Sequence, residues 1–175
     1  MYGRKEEMNH LKELYDSNRF EFLVMYGRRR VGKTTILQEF AENTNSIFFP
    51  AREKNDALNL EDFSKMIQYH FDKNFIASFQ SWEDALNYIG EKVEQKTAVI
   101  IDEFPYIIEE NPSIKSILQH TIDHNWKNKN IFLILCGSSV SIMESDVMGR
   151  KSPLHDRQTS SLEIKPFDYL ESSAF

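Results

Sequence analysis

Apolar residues fall along this chain in two rhythms. Short unbroken runs, Phe22 to Met25, Ala98 to Ile101 and Ile131 to Cys136, predict strands buried on both faces. "SIFFPA", closed by Pro50, reads as a further short strand. Between these runs the spacing becomes helical. Ile36, Leu37 and Phe40 mark a helix in "KTTILQEFAEN", and Phe63, Ile67 and Phe71 recur at four-residue intervals in "LEDFSKMIQYHF". "SWEDALNYIGEKVEQ" predicts a helix with Ser81 as its N-cap and Asp84 three residues on, and "PSIKSILQHTIDHNW" one with Pro112 at its start. The opening "MYGRKEEMNHLKELY" is charged and helical in pattern, "SIMESDVMG" reads as a short helix, and "SLEIKPF" alternates like a strand nearer an edge. Five strands interleaved with helices imply an α/β protein with a largely parallel sheet.

Length and composition narrow this picture. A chain of 175 residues that is 41% hydrophobic suits one domain, residues 1–175, with a substantial core. The formal net charge of −6 offers no broad cationic surface, so direct nucleic-acid binding by this piece is not expected. Cys136 is the one cysteine; it forms no intramolecular disulfide, and no Cys/His metal cluster is written in the sequence. The N-terminus lacks the apolar core of a signal peptide, and no apolar run is long enough to span a bilayer. The expectation is a soluble cytoplasmic protein with no membrane partner.

Candidate chemistry begins at Gly27. Gly27-Arg28-Arg29-Arg30-Val31-Gly32-Lys33-Thr34 fits G-x-x-x-x-G-K-[ST], between a predicted strand and a predicted helix. The two glycines permit a tight backbone whose N–H groups turn inward on an anion, and the helix N-terminus adds its positive dipole. Residues 27 to 35, ending at Thr35, are thus the expected nucleotide-binding segment, with Lys33 reaching the β and γ phosphates and Thr34 offering its hydroxyl to Mg²⁺. The three arginines occupy the variable part of the loop, where backbone N–H groups are the expected phosphate ligands and the side chains face solvent or an acidic helix; a guanidinium serving a partner subunit is the alternative.

"AVIIDEF" is the companion motif. It sets Asp102 at the carboxyl end of a buried strand, where ligands of open α/β sheets gather. Asp102 would hold Mg²⁺ through its water shell, and Glu103 would orient or deprotonate the water that attacks the γ phosphate. Ser138, in "ILCGSS", would hydrogen-bond that water or the phosphate, or else cap the short helix that follows. Cys136 reads as inert core, Trp82 and Trp126 as core or interface, and His120 and His124 as a solvated pair.

Together "GRRRVGKTT", "VIIDEF" and "LCGSS" resemble the AAA-related P-loop ATPases of the archaeal ATPase family. "GRKEEMNHLKELY" looks like the family's Gly-Arg-x-x-Glu box, which abuts the nucleotide, and "MGRKSPLHDRQTSSLEIKPFDYLES" like its segment after the fourth strand. The family's Tyr-Gly-Arg-Arg-Thr block stands here as His155-Asp156-Arg157-Gln158-Thr159, without the Gly and second Arg, so neither Arg150 nor Arg157 is assigned as an arginine finger. The resemblance implies a three-layer P-loop fold with a five-stranded sheet in the order 5-1-4-3-2, ATP or ADP with Mg²⁺ as cofactors, and ATP hydrolysis serving as a switch or motor for domains outside this chain. "PFDYLESSAF" starts a predicted helix after Asp168, where resembling proteins continue into a lid, so a core without its lid is expected to turn over slowly. Partners beyond nucleotide, self-association included, stay open. The competing readings are a nucleotide-binding interaction domain with little hydrolysis and a small-molecule kinase, for which no acceptor signature is present. A GTPase lacks its Asn-Lys-x-Asp motif here, since "NKNI" has no final Asp.

Overall fold

The computed structural model describes residues 4–166 of the chain. The apolar runs become central strands because they have no polar face to give to water: β1 (Glu21–Tyr26), β3 (Thr97–Asp102) and β4 (Ile131–Gly137) are buried almost throughout. The two remaining strands, β2 (Ser46–Pro50) and β5 (Ser160–Glu163), alternate in burial and form the edges. All pairings are parallel, in the order β2-β3-β4-β1-β5. This is the order 5-1-4-3-2 counted from the other edge. Because β4 lies between β1 and β3, three strand ends meet side by side, with Tyr26 opposite Gly137 and Ile101 opposite Leu135.

Successive residues of each strand enter different layers. Leu23 and Met25 of β1 pack with Leu11 of α1 (Lys5–Asp16) and with Ile36, Leu37 and Phe40 of α2 (Lys33–Glu42). Phe22 and Val24 pack on the other side, in a larger core fed by α3 (Asp56–Asp72), α4 (Trp82–Lys92), α5 (Pro105–Glu110) and α6 (Ile114–His124). The result is a three-layer sandwich. Ser81 caps α4 as expected, accepting from Asp84 N, and Asn55 does the same for α3. Trp82 and Trp126 are buried, with their indole N–H groups donating to Asp56 Oδ1 at 2.9 Å and to the Leu86 carbonyl at 3.0 Å.

Several local expectations shift. The strand in "TAVIIDEF" stops at Asp102, and a helix not anticipated from the pattern, α5, starts three residues later with Pro105 in its first turn. Pro112 lies ahead of α6, which begins at Ile114. "SIMESDVMG" is a single α-turn, α7 (Val140–Ile142), running into a π-helical turn over Met143–Val147. The wide turn drops Met143 and Val147 into the core, with Met143 against Gly137, where a Cβ would lie 2.7 Å from the methionine sulfur. The helix predicted after Asp168 falls outside the described residues. Among the described residues no helix is long and apolar enough to cross a membrane.

Candidate nucleotide site

β1 delivers its last residues to the top of the sheet, where the chain must turn sharply into α2. Gly27 is required by space: a Cβ there would sit 2.3 Å from the Ile164 carbonyl oxygen, and the Ile164 N–H itself donates to Tyr26 O at 2.7 Å. Gly32 is required by conformation, capping α2 with φ 101°. Arg30 also turns left-handed, at φ 67°. The loop closes around Lys33, whose side chain is 4% exposed and whose Nζ donates to the carbonyl oxygens of Gly27 and Arg28, at 2.6 Å each. The first N–H groups of α2 have no acceptor inside the helix and open on the same loop.

The acidic strand end meets this loop from across β4. Asp102, 3% exposed, accepts from Thr34 Oγ1 at 2.7 Å through Oδ2 and from Glu103 N at 3.0 Å through Oδ1. Glu103 leaves the strand in the left-handed region, φ 55°, and Ser138 Oγ donates to its Oε1 at 2.6 Å. Of the two uses expected for Ser138, capping is not adopted: the N-cap of α7 is Ser139, and no side chain caps that turn. Next to Glu103 stands Tyr106 of α5, a residue the motifs did not single out; its OH accepts from Arg29 Nη2 at 3.3 Å. Arg29, Arg30, Gly32, Lys33, Thr34, Thr35, Glu103, Tyr106 and Ser138 together line one cleft of about 340 Å³. A second, wider hollow of about 760 Å³ adjoins it on the outer side of the loop, bounded by Arg4, Arg28 to Gly32 and Pro166.

Arg4, from the Gly-Arg-x-x-Glu box, braces the loop. Its Nη2 donates to the carbonyl oxygens of Val31, at 2.7 Å, and Lys165, at 3.0 Å, while Nη1 meets Glu7 Oε1 at 3.2 Å. One buried guanidinium thereby ties the loop, the start of α1 and the exit of β5 together.

A hydroxyl and a carboxylate in contact present only hard oxygen donors, which suits Mg²⁺. Among the described residues no group of three or more His, Cys, Asp or Glu side chains forms a cage, so an ion here would complete its shell from phosphate and water. Cys136 lies in β4 and is fully buried; burial, reinforced by the charge of Asp102, pushes its thiol well above the ordinary range and keeps it protonated. Arg157 forms a two-pronged pair with Asp123, Nε to Oδ1 at 3.0 Å and Nη2 to Oδ2 at 2.7 Å, so α6 holds it. His120 and His124 are exposed with ring centroids 4.3 Å apart.

The fold recurs in solved proteins. A Walker-type ATPase of Pyrococcus abyssi matches with a TM-score of 0.72 at 23% identity, over 99% of this chain and 56% of that one. Orc1 of Aeropyrum pernix, solved in complex with DNA, matches at 0.69 and 14% identity, over 99% of this chain and 48% of that one. An uncharacterized protein of Methanocaldococcus jannaschii is 37% identical over 172 residues, 98% of this chain and 37% of the relative. An uncharacterized ATP-binding protein of the same organism is 43% identical over 49 residues, 25% of this chain and 83% of the relative. The chain thus spans 37% of the longer relative and 56% of the Pyrococcus ATPase. A family model described as an ATPase domain predominantly from Archaea matches residues 1–175, and the chain belongs to that family of P-loop ATPases.

Proposed function

We propose that this chain binds ATP with Mg²⁺ in the cleft between the Gly27–Thr34 loop and Glu103, hydrolyses it, and thereby switches or drives domains outside the chain. The observation that carries the reading is the convergence of two couples, Thr34 with Asp102 and Ser138 with Glu103, on the loop that encloses Lys33. A phosphate chain entering the loop gives the Lys33 ammonium stronger acceptors than the two carbonyls it now holds, and the free N–H groups of α2 cradle the same anion. Mg²⁺, held through Thr34 and the carboxylate of Asp102, would neutralise charge on the β and γ oxygens. Glu103, with one carboxylate oxygen fixed by Ser138, keeps the other to accept a proton from water lined up on the γ phosphate. The wider hollow beside Arg4, Val31 and Pro166 has room for the nucleoside.

The acidic balance of the chain supports nucleotide, and not nucleic acid, as what this piece binds directly. A single unpaired cysteine and a need for ATP support a cytoplasmic setting.

Thermal unfolding with and without nucleotide tests the assignment. Mg-ATP and Mg-ADP should raise the melting temperature, since a ligand selective for the folded state stabilises it by mass action, and Lys33→Ala should lose most of that shift. An undiminished shift in Lys33→Ala would move the site away from this loop.

A further inference from the structure

The three loop arginines are not equivalent. Arg28 borders the outer hollow and not the cleft shared with Glu103 and Ser138, whereas Arg29 and Arg30 border both. Arg30 spends its backbone on a left-handed turn, and among the described residues the side chains of Arg28 and Arg30 make no hydrogen bond or ion pair. Arg29 alone of the three reaches across, to the Tyr106 hydroxyl at 3.3 Å.

What Arg29 rests on is informative. Glu103 lines the same cleft, yet one oxygen of its carboxylate accepts from Ser138 and none from Arg29, which is held by a neutral phenol. A guanidinium bonded to a carboxylate would surrender a strong charged partner in order to move, whereas one bonded to a phenol surrenders a weak neutral one. Lys33, the other cation of the cleft besides Arg30, is buried and committed to the floor of the loop. Arg30 is exposed in the same cleft and, among the described residues, unbonded; Arg29 is the exposed cation that already spans to the far wall, beside Glu103. Tyr106 is also fixed relative to the water-handling carboxylate, because its N–H donates to Glu103 O at 3.1 Å and the intervening Phe104 N–H is anchored to Cys136 O at 2.9 Å.

We propose that Arg29 is a γ-phosphate ligand supplied by the loop itself, parked on Tyr106 until a nucleoside triphosphate arrives, and that it makes the site prefer triphosphate over diphosphate. The inference rests on the nucleotide-binding reading above. Tyr106 is a positioning residue: it keeps the guanidinium at the cleft mouth and off Glu103.

Equilibrium binding of a non-hydrolysable ATP analogue and of ADP, both with Mg²⁺, tests this in wild type, Arg29→Ala, Tyr106→Phe and Lys33→Ala. Arg29→Ala should weaken the analogue about 10-fold, the worth of a charge-assisted contact, while ADP affinity stays within about 2-fold. Tyr106→Phe should hold or raise analogue affinity, because Arg29 is released toward the phosphate. Equal losses for both nucleotides in Arg29→Ala, no loss for either, or a Tyr106→Phe loss as large as that of Arg29→Ala would overturn the proposal. Lys33→Ala separates the two levels: if it binds both nucleotides like wild type, or wild type binds neither, the nucleotide reading itself has failed, and this inference with it.

Discussion

Ser138 Oγ donates a 2.6 Å hydrogen bond to Glu103 Oε1, joining the residues that follow the carboxyl ends of two adjacent strands, β4 and β3. The bond fixes the carboxylate's direction and engages one of its two oxygens. Replacing Ser138 with Ala should slow turnover about 10- to 100-fold, the range expected when a hydrogen bond to a charged group worth roughly 1.5–3 kcal/mol is lost from the reacting arrangement. Nucleotide affinity should change little. Steady-state phosphate release and nucleotide titration on the same variant check both halves; a large affinity loss with kcat intact would make Ser138 a binding residue instead.

Glu103 holds a left-handed backbone, φ 55°, that a side chain with a Cβ adopts at a cost of about 1–2 kcal/mol. Glu103→Gly should therefore unfold at the wild-type temperature or above it while losing turnover. Stability traded against function at one residue is what thermal melts and phosphate release should show together. A clear drop in melting temperature would mean that the Ser138 contact outweighs the strain.

Gly27→Ala should be destabilising by about 2 kcal/mol, because its methyl group would meet the Ile164 carbonyl at 2.3 Å and force apart β1 and the exit of β5. Urea unfolding gives the number. A neutral result would show that the exit of β5 moves aside at no cost.

Arg157 holds the Asp123 carboxyl below its ordinary value, chiefly through the hydrogen bond between them. The folded pKa is lower than the unfolded one, so the pair's stabilisation is complete above the unfolded value of about 4 and fades as pH falls through the folded value. Arg157→Ala should cost about 0.5 kcal/mol near neutrality, a small figure because both partners are partly exposed, and the gap to wild type should close in acid. Denaturant titrations at several pH values read this directly; a gap that persists in acid would trace to lost packing of the arginine stem.

The parts legible in the sequence are those decided within a few residues. Gly32-Lys33-Thr34 announces a loop and helix start because a left-handed glycine followed by helix formers is a local event, and the buried strands are visible because nothing polar interrupts them. The strand order is implied by family resemblance alone, since parallel neighbours are set by long-range packing that no window of residues contains. Tyr106 carries no signal in the sequence for the same reason: its partner, Arg29, is 77 residues away, and α5 is short enough that its pattern resembles a loop. Arg4 is visible in the sequence as part of a box, but its grip on Val31 and Lys165 depends on β5 returning beside β1. For Ser138 the sequence offers both capping and catalysis, and its bond to Glu103 Oε1 depends on β3 and β4 lying side by side.

Single-turnover phosphate release from Mg-ATP, with protein in excess, shows whether Glu103 activates water for attack on a nucleotide held by the Gly27–Thr34 loop. Glu103→Gln keeps the shape of the side chain and removes the base. The variant should bind Mg-ATP with wild-type affinity and release phosphate at least ~100-fold more slowly, the usual contribution of a positioned general base. Equal release rates in variant and wild type, both binding ATP, would contradict that role for Glu103.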